Sequence, residues 1–92
     1  MDIQFTTQIS KEGRMFVAYS RELDVSSCGG TKEKAIRNLK EAVRLFLEEA
    51  EKMGSLDRIL EEAGYIRRKR GIEGPKFIGV QRVSVPLPLE HG

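Results

Sequence analysis

Five carboxylates scattered along the chain are the residues that could serve a divalent-metal centre of the kind that hydrolyses nucleic acid. They are Asp2, Glu12, Glu22, Asp24 and Glu33. Such a centre needs several carboxylate oxygens that converge on the cations. These five belong to different predicted elements, and the first predicted strand carries no inward acid. The sequence therefore predicts no metal site and no metal-dependent catalysis.

The remaining nucleophilic or metal-binding side chains are a single cysteine, Cys28, and a single histidine, His91. A zinc site needs a cluster of Cys and His ligands, and a nucleophilic thiol needs a base beside it. Cys28 stands next to two glycines, so we expect it to be a small, half-buried residue at a strand end. We therefore predict that the chain is not an enzyme, uses no cofactor and has no small-molecule substrate.

A short acidic stretch with an apolar centre, Glu22-Leu23-Asp24, is the first candidate for a binding surface. In a loop, Leu23 could anchor a basic partner while Glu22 and Asp24 steer its approach. The alternative interpretation is a connecting loop in which Leu23 closes the core, because single apolar loop residues commonly pack inward.

The tetrabasic run Arg67, Arg68, Lys69, Arg70 is the second candidate. Phosphate neutralisation dominates nucleic-acid affinity, so four adjacent cations could bind RNA or DNA. Apart from Tyr65, no aromatic residue is interleaved with them, and no RNA-binding motif is present. The alternative interpretation is a solvated loop whose charges keep a sheet edge from aggregating.

The N-terminal third of the chain has the pattern of three short strands. Apolar and polar residues alternate over Ile3–Ile9, and Ser10–Gly13 has turn chemistry. Met15–Tyr19 is rich in β-forming residues and apolar on both faces, which predicts a strand inside the sheet that pairs with the first. Val25–Cys28 is predicted as a third strand.

A long amphipathic helix is predicted next. Gly29-Gly30 allows a sharp turn, Thr31 is a good N-cap, and an apolar stripe at three- and four-residue steps runs to Met53. Gly54 is a natural stop. Phe46 and Leu47 fall on the stripe and are predicted to be core. Leu45 falls off it and is either a partner contact or one of the scattered exposed leucines that proteins commonly carry.

The C-terminal third is predicted to hold a shorter helix and one more strand. Ser55 would cap the helix and Gly64 would end it. Residues 65–75 have the composition of a loop, and Phe77–Val85 alternates with a change of phase at Gln81-Arg82, which a bulge would reconcile.

The order β-β-β-α-α-β predicts an α+β two-layer sandwich, a small mainly antiparallel sheet with one long helix across it. The predicted domain spans residues 1–88, and residues 89–92 are expected to be a flexible tail or a remnant of cloning.

Composition sets the remaining expectations. The 92 residues suffice for one small domain, which often gains stability from a partner surface. The formal net charge of +2 does not indicate a dedicated polyanion binder. One cysteine permits no intrachain disulfide, and neither a membrane-spanning run nor a signal peptide is evident, so a cytoplasmic protein without membrane association is expected. Open sheet edges favour a homodimer or a higher oligomer.

The ordered motifs between residues 3 and 50 resemble the HicB family of antitoxins, including its free-standing members. The residues that carry the resemblance are Gly13, Phe16-Val-Ala, Glu22-Leu23, Gly29-Gly-Thr31, Glu33, Ala35, Asn38, Glu41-Ala42 and Phe46-Leu47. Arg21 stands where the family commonly has a proline. Gln81 to Leu87 is a little like the ribbon strand of a ribbon-helix-helix module, but we expect it to be the last strand of the domain and expect no DNA binding.

The resemblance implies a truncated ribonuclease-H-like fold without the catalytic carboxylates of that enzyme family. It also implies a role in a type II toxin-antitoxin system. The antitoxin would bind a small, basic HicA-type ribonuclease, which cleaves messenger RNA, and would cover its active site without doing chemistry itself. Glu22, Leu23, Asp24 and Leu45 are the predicted partner contacts. The alternative function is a solitary nucleic-acid-binding module that uses Arg67, Arg68, Lys69 and Arg70.

Overall fold

A three-stranded antiparallel sheet with a long helix across one face forms the body of the protein. The computed structural model describes residues 1–89. Its elements, in chain order, are β1 (Thr7–Glu12), β2 (Met15–Ser20), β3 (Val25–Gly29), α1 (Lys32–Lys52), α2 (Leu56–Glu62), β4 (Ile66–Arg68) and β5 (Gly71–Glu73). The strand order of the main sheet is β1-β2-β3, and β4 and β5 form a separate two-stranded sheet. This arrangement confirms the predicted α+β class.

The β1–β2 hairpin forms as predicted, but its turn lies later in the chain than Ser10–Gly13. Glu12 pairs with Met15, so only Gly13 and Arg14 lie in the turn. Gly13 has φ of +60°, which matches the first position of a type II′ turn. β1 also begins later than predicted, at Thr7 and not at Ile3. Ile3 and Phe5 still pack against the core, so the predicted alternation identified the correct face.

Helix α1 begins and ends as its sequence predicts. The Thr31 hydroxyl accepts a hydrogen bond from the Lys34 N–H at 3.1 Å, which is a side-chain N-cap. Gly54, with φ of +75°, follows the helix as a left-handed stop. The predicted cap of α2 is not formed, because the Ser55 hydroxyl donates to the carbonyl of Ala50 instead.

The core lies between α1 and one face of the sheet. Leu39 is fully buried on the helix, and Ala18 and Ser20 are fully buried on β2. The junction of β3 and α1 is very close at Gly29, where an added Cβ would lie 2.7 Å from the Ala35 nitrogen. The absence of a side chain at Gly29 therefore allows β3 and the start of α1 to lie close together. The opposite face of the sheet carries Val17 and Tyr19, which are partly exposed.

A second small packing centre forms around Tyr65, which follows α2 and is 5% exposed. Its hydroxyl donates a 2.6 Å hydrogen bond to the Gln4 carbonyl, and its ring lies against Gly74. Residues 66–73, predicted to be part of a loop, form the β4–β5 hairpin instead. A short pairing between Arg68 and Gly71 closes that hairpin, and Tyr65 secures its base to the N-terminal segment.

The predicted last strand, Phe77–Val85, is absent from the main sheet. Residues 74–89 have no regular secondary structure. The β propensity and alternation that led to the prediction are present, but the segment is not paired with a strand in the described part of the chain. Of the predicted tail, 89–92, only Leu89 lies within the described residues. None of the helices within residues 1–89 is long and apolar enough to cross a membrane.

Candidate protein-binding groove

Glu22, predicted to steer a partner, has a structural contact in the loop between β2 and β3. Both of its carboxylate oxygens lie 2.8 Å from the Thr6 nitrogen, whose N–H they accept. The loop is thereby tied to the segment that precedes β1. The side chain is half-buried, and its charge also acts on Tyr65. Burial, followed by the nearby negative charge of Glu22, raises the pKa of Tyr65 to about 12.

Leu23, predicted as an apolar anchor for a partner, points into the core. It is 7% exposed and belongs to the same buried cluster as Leu39 and Tyr65. Its N–H donates to the Ser20 hydroxyl at 3.3 Å, which satisfies a polar group that is itself buried. Leu23 therefore closes the core, as the alternative interpretation of this loop had it, and does not present an anchor at the surface.

Asp24 is exposed at the end of the same loop. Its backbone has φ of 56°, a left-handed conformation that Asp tolerates better than most residues. The Tyr19 hydroxyl donates to an Asp24 carboxylate oxygen at 2.9 Å. That hydrogen bond raises the pKa of Tyr19. The Asp24 carboxylate thus lies at the surface and is oriented by a tyrosine on the uncovered face of the sheet.

A groove of about 270 Å³ separates this loop from the two helices. Its lining residues are Glu22, Leu23, Phe46, Ile59, Glu62 and Ala63. Phe46 and Ile59 are each half-buried, and each therefore has apolar surface in contact with solvent. Glu22 and Glu62 are the charged residues of the lining, and within the described residues neither forms an ion pair. The groove therefore combines an apolar lining with two uncompensated negative charges.

Four residues of this groove, Phe46, Ile59, Glu62 and Ala63, were not among the predicted partner contacts. Phe46 was predicted to be core because it lies on the apolar stripe, but α2 does not cover it fully. Ile59 and Glu62 lie three residues apart on α2, on the same side of that helix. The spacing was a usable signal for a shared face, but only the packing of α2 beside loop 21–24 brings that face to Glu22.

Charge is strongly segregated along the chain despite the nearly neutral total. Residues 45–63 hold six acidic and two basic side chains, whereas residues 64–89 hold six basic side chains and one acidic. The groove draws its helical residues from the acidic stretch. The net charge of +2 therefore conceals an acidic stretch, of which Glu62 lines the groove.

Leu45, the fourth predicted partner contact, is 52% exposed on α1. It does not belong to the lining of the groove, so the structure does not bring it together with Glu22. Its neighbours one turn away, Glu41 and Glu48, both bind Arg44 in ion pairs. Leu45 is thus an isolated apolar side chain beside a charged row.

The four basic residues lie on the β4–β5 hairpin, where two of them are engaged. Arg67 forms an ion pair with Asp57 at 3.3 Å, and Arg68 forms one with Glu73 at 3.1 Å. Lys69 and Arg70 occupy the turn and form no ion pair with the residues the structure describes. The run therefore presents two free cations at the hairpin tip instead of four in a row.

The remaining candidate chemistry is not assembled into a site. The Cys28 thiol is exposed on β3, in contrast to the half-buried position expected for it. His91 lies outside the described residues. Among residues 1–89, no three His, Cys, Asp or Glu side chains are grouped so that they could hold a metal ion. The chain matched none of the protein-family models, curated proteins or solved structures with which it was compared.

Proposed function

We propose that the protein is a non-enzymatic, HicB-like antitoxin that binds a small, basic HicA-type ribonuclease and covers the site at which that toxin cleaves messenger RNA. The groove beside loop 21–24 is the observation that carries the proposal. It offers apolar surface from Phe46 and Ile59 and negative charge from Glu22 and Glu62. Those are the features that a basic protein partner requires.

The physical roles of the groove residues differ. Most of the binding energy in a protein interface comes from a few large side chains in desolvated pockets. Here Phe46 and Ile59 would receive an apolar anchor from the toxin. Glu62 and Asp24 are exposed and would act mainly on the association rate, since complementary charge steers the encounter. Leu45 stays a predicted contact with the toxin, although it lies outside the groove.

The nearly balanced net charge does not argue against this partner. A basic toxin responds to the local potential around the contact surface, and long-range terms are screened over roughly 8 Å at physiological salt. Glu22 and Glu62, which line the groove and form no ion pair within the described residues, would supply that local potential. The basic C-terminal third lies on other elements, the β4–β5 hairpin and the segment after it. The proposal implies a cytoplasmic protein, since messenger RNA is the toxin's substrate.

The experiment that tests the proposal is capture of the partner followed by neutralisation. The immobilised chain is incubated with native lysate after nuclease treatment, and retained proteins are identified by mass spectrometry. The retained protein is then purified and assayed for messenger-RNA cleavage with and without the chain. A small basic ribonuclease, inhibited at one equivalent, is the expected result. Retention of no such ribonuclease, or cleavage that the chain does not inhibit, would contradict the proposal.

A second candidate, a nucleic-acid-binding module, is favoured by one observation. The hairpin tip presents Lys69 and Arg70 without ion-pair partners in the described chain, within a C-terminal third that is strongly basic. This function predicts RNA or DNA binding that falls steeply with salt. Replacing Lys69 and Arg70 with serine should abolish that binding, whereas replacing Lys32 and Lys34 on α1 should not. Salt-independent binding or equal losses in both variants would argue against the hairpin tip.

A further inference from the structure

The C-terminal arm, residues 77–89, holds a run of exposed apolar side chains that is the longest within the described residues. Its large apolar side chains after Phe77 are exposed as follows: Ile78 101%, Val80 79%, Val83 80%, Val85 77%, Leu87 75% and Leu89 65%. Monomeric proteins rarely expose so much contiguous apolar surface, and large patches of this kind mark interaction sites. We therefore expect the apolar side chains of the arm to be covered by another protein surface.

The dimensions of the whole chain show how much surface is uncovered. A compact monomer of this mass has an accessible surface of about 5,400 Å², whereas this chain exposes 7905 Å². Its radius of gyration is 16.8 Å, against about 12 Å for a compact domain of this length. The excess surface exceeds the roughly 800 Å² that each partner buries in a standard stable interface.

The arm has the sequence of a strand. Ile78 and Val80 fall on one face of an extended chain, and Val83, Val85 and Leu87 fall on the other. Valine and isoleucine favour strands, and the change of phase means that both faces require cover. Within the described residues, the arm has one backbone hydrogen bond, between Leu89 and Leu87. Its remaining backbone groups are free to pair with a strand edge.

The main sheet offers such an edge at β1. The Arg21 N–H bonds to the Thr6 carbonyl, and Glu12 pairs with Met15 at the turn. Because hydrogen-bonded pairs alternate along an antiparallel ladder, the backbone groups of Thr7, Ile9 and Lys11 point away from β2. β1 is an edge strand of the sheet, so these groups are available to an incoming strand.

The place at which the arm leaves its own domain indicates which strand edge it can pair with. The Phe77 ring lies 4.4 Å from the Arg21 guanidinium, which holds the start of the arm. The next residue, Ile78, is fully exposed, so the arm departs from the domain there. If the arm folded back on its own β1, at most one of the arm's two faces would be covered, because α1 packs on β3 and β2 and lies on only one side of the sheet. A second copy can supply cover for the other face.

We propose that the C-terminal arm adds as a strand to the β1 edge of a second copy of this chain. The exchange is reciprocal, with each protomer donating one arm and receiving one around a two-fold axis. This inference names the surface of the predicted homodimer. It is independent of whether the groove binds a toxin, since neither Phe46 nor Glu62 takes part in it.

The oligomeric state tests the arm directly. Analytical ultracentrifugation over a concentration series should show a dimer for the full chain and a monomer for a chain ending at Lys76. Val83→Asp should weaken the dimer by at least about tenfold, because it places a charge where the proposed dimer buries an apolar side chain. Ser84→Asp is the matched control, with the same charge at the neighbouring polar position. Both variants should keep the helical circular dichroism of the full chain, since neither side chain touches the core.

A second pair of variants tests the receiving edge. Ile9→Pro removes an outward N–H without breaking the β1–β2 ladder, whereas Ile9→Ala shortens the same side chain and keeps that N–H. Only the proline variant should become monomeric. In a mixture of labelled and unlabelled chains, nuclear Overhauser effects should join the Val83 methyls of one chain to β1 of the other. A monomeric full chain, a dimer that survives loss of the arm, or contacts confined to one chain would each overturn the proposal.

Discussion

The Glu22 carboxylate accepts the Thr6 N–H with both oxygens, each 2.8 Å from the nitrogen. This contact joins the β2–β3 loop to the segment that runs into β1. It means that an acid predicted to face a partner also holds the fold together. Substitutions at Glu22 are therefore expected to alter stability in addition to the proposed binding, and tests of the groove should rest on other acids.

Deleting the Glu22 side chain should measure that structural role. Glu22→Ala is expected to lower the free energy of unfolding by about 1–2 kcal/mol, because a backbone donor loses a charged acceptor. Glu62→Ala removes the same group from the other rim of the groove, where it accepts no backbone hydrogen bond from residues 1–89, and should change stability by less than about 0.5 kcal/mol. Urea denaturation of both variants checks this. Equal values would show that the Glu22–Thr6 contact contributes nothing.

Two adjacent glycines at the end of β3 should respond differently to an added methyl group. At Gly29 the new Cβ would lie 2.7 Å from the Ala35 nitrogen and 2.9 Å from the Lys34 carbonyl carbon, both backbone atoms. At Gly30 it would meet nothing within 4 Å. Gly29→Ala is therefore expected to cost about 1–3 kcal/mol of stability. Gly30→Ala should be neutral or slightly stabilising. Thermal denaturation distinguishes them, and similar melting temperatures would contradict the close β3–α1 junction.

Alkaline pH should destabilise the protein through Tyr65. Its pKa is about 12 in the folded state, against roughly 10 in an unfolded chain. A group whose pKa is higher in the folded state stabilises the fold fully when the pH lies below its pKa in the unfolded chain. That stabilisation is lost as the pH rises toward its pKa in the folded protein. The stability advantage of the wild type over Tyr65→Phe should therefore shrink by up to about 2 kcal/mol between pH 9 and 12. Denaturation at several pH values measures it, and a constant difference would contradict the burial effect.

The proposed steering role of Asp24 predicts a kinetic effect. Asp24→Lys should slow association with the toxin several-fold at low salt and leave dissociation nearly unchanged, because an exposed charge acts mainly during the encounter. High salt should remove the difference. Asp24→Asn, which keeps a side chain suited to the left-handed backbone, should give a smaller effect in the same direction. Surface plasmon resonance measures the association and dissociation rates separately. An unchanged association rate would show that Asp24 does not contribute to the interface.

The elements that depend on local chemistry were predictable from sequence. The Thr31 cap, the stripe of α1 and the stop at Gly54 were all confirmed, because capping and helical periodicity act within a few residues. The bounds of β1 and the position of its turn were less predictable. Alternation marks a face, but the register depends on which residues form the turn, and here Gly13 and Arg14 form it.

The features that depend on tertiary packing were not predictable in the same way. Phe77–Val85 has the propensity of a strand, but a strand also needs an edge to pair with, and sequence does not specify one. Likewise, Leu23 in the β2–β3 loop and Phe46 on α1 are both apolar residues beside the groove, and only the packing decides that Leu23 is buried while Phe46 stays partly exposed. The apolar lining of the candidate groove depends on this partial exposure of Phe46.

The most direct test of the proposed antitoxin function compares two neighbouring charge reversals on α2. Glu62 lines the groove, whereas Glu61 lies on the side of α2 that faces Arg67 and Ile72. Both lie in the last turn of the helix, so a lysine suits the helix dipole equally at either position.

The measurement is inhibition of the captured ribonuclease by the wild type, Glu62→Lys and Glu61→Lys. We expect Glu62→Lys to raise the concentration required for half inhibition by about tenfold or more, since it places a positive charge against a basic partner. Glu61→Lys should inhibit like the wild type. Equal inhibition by all three proteins, or equal losses in both variants, would contradict the groove as the toxin-binding site.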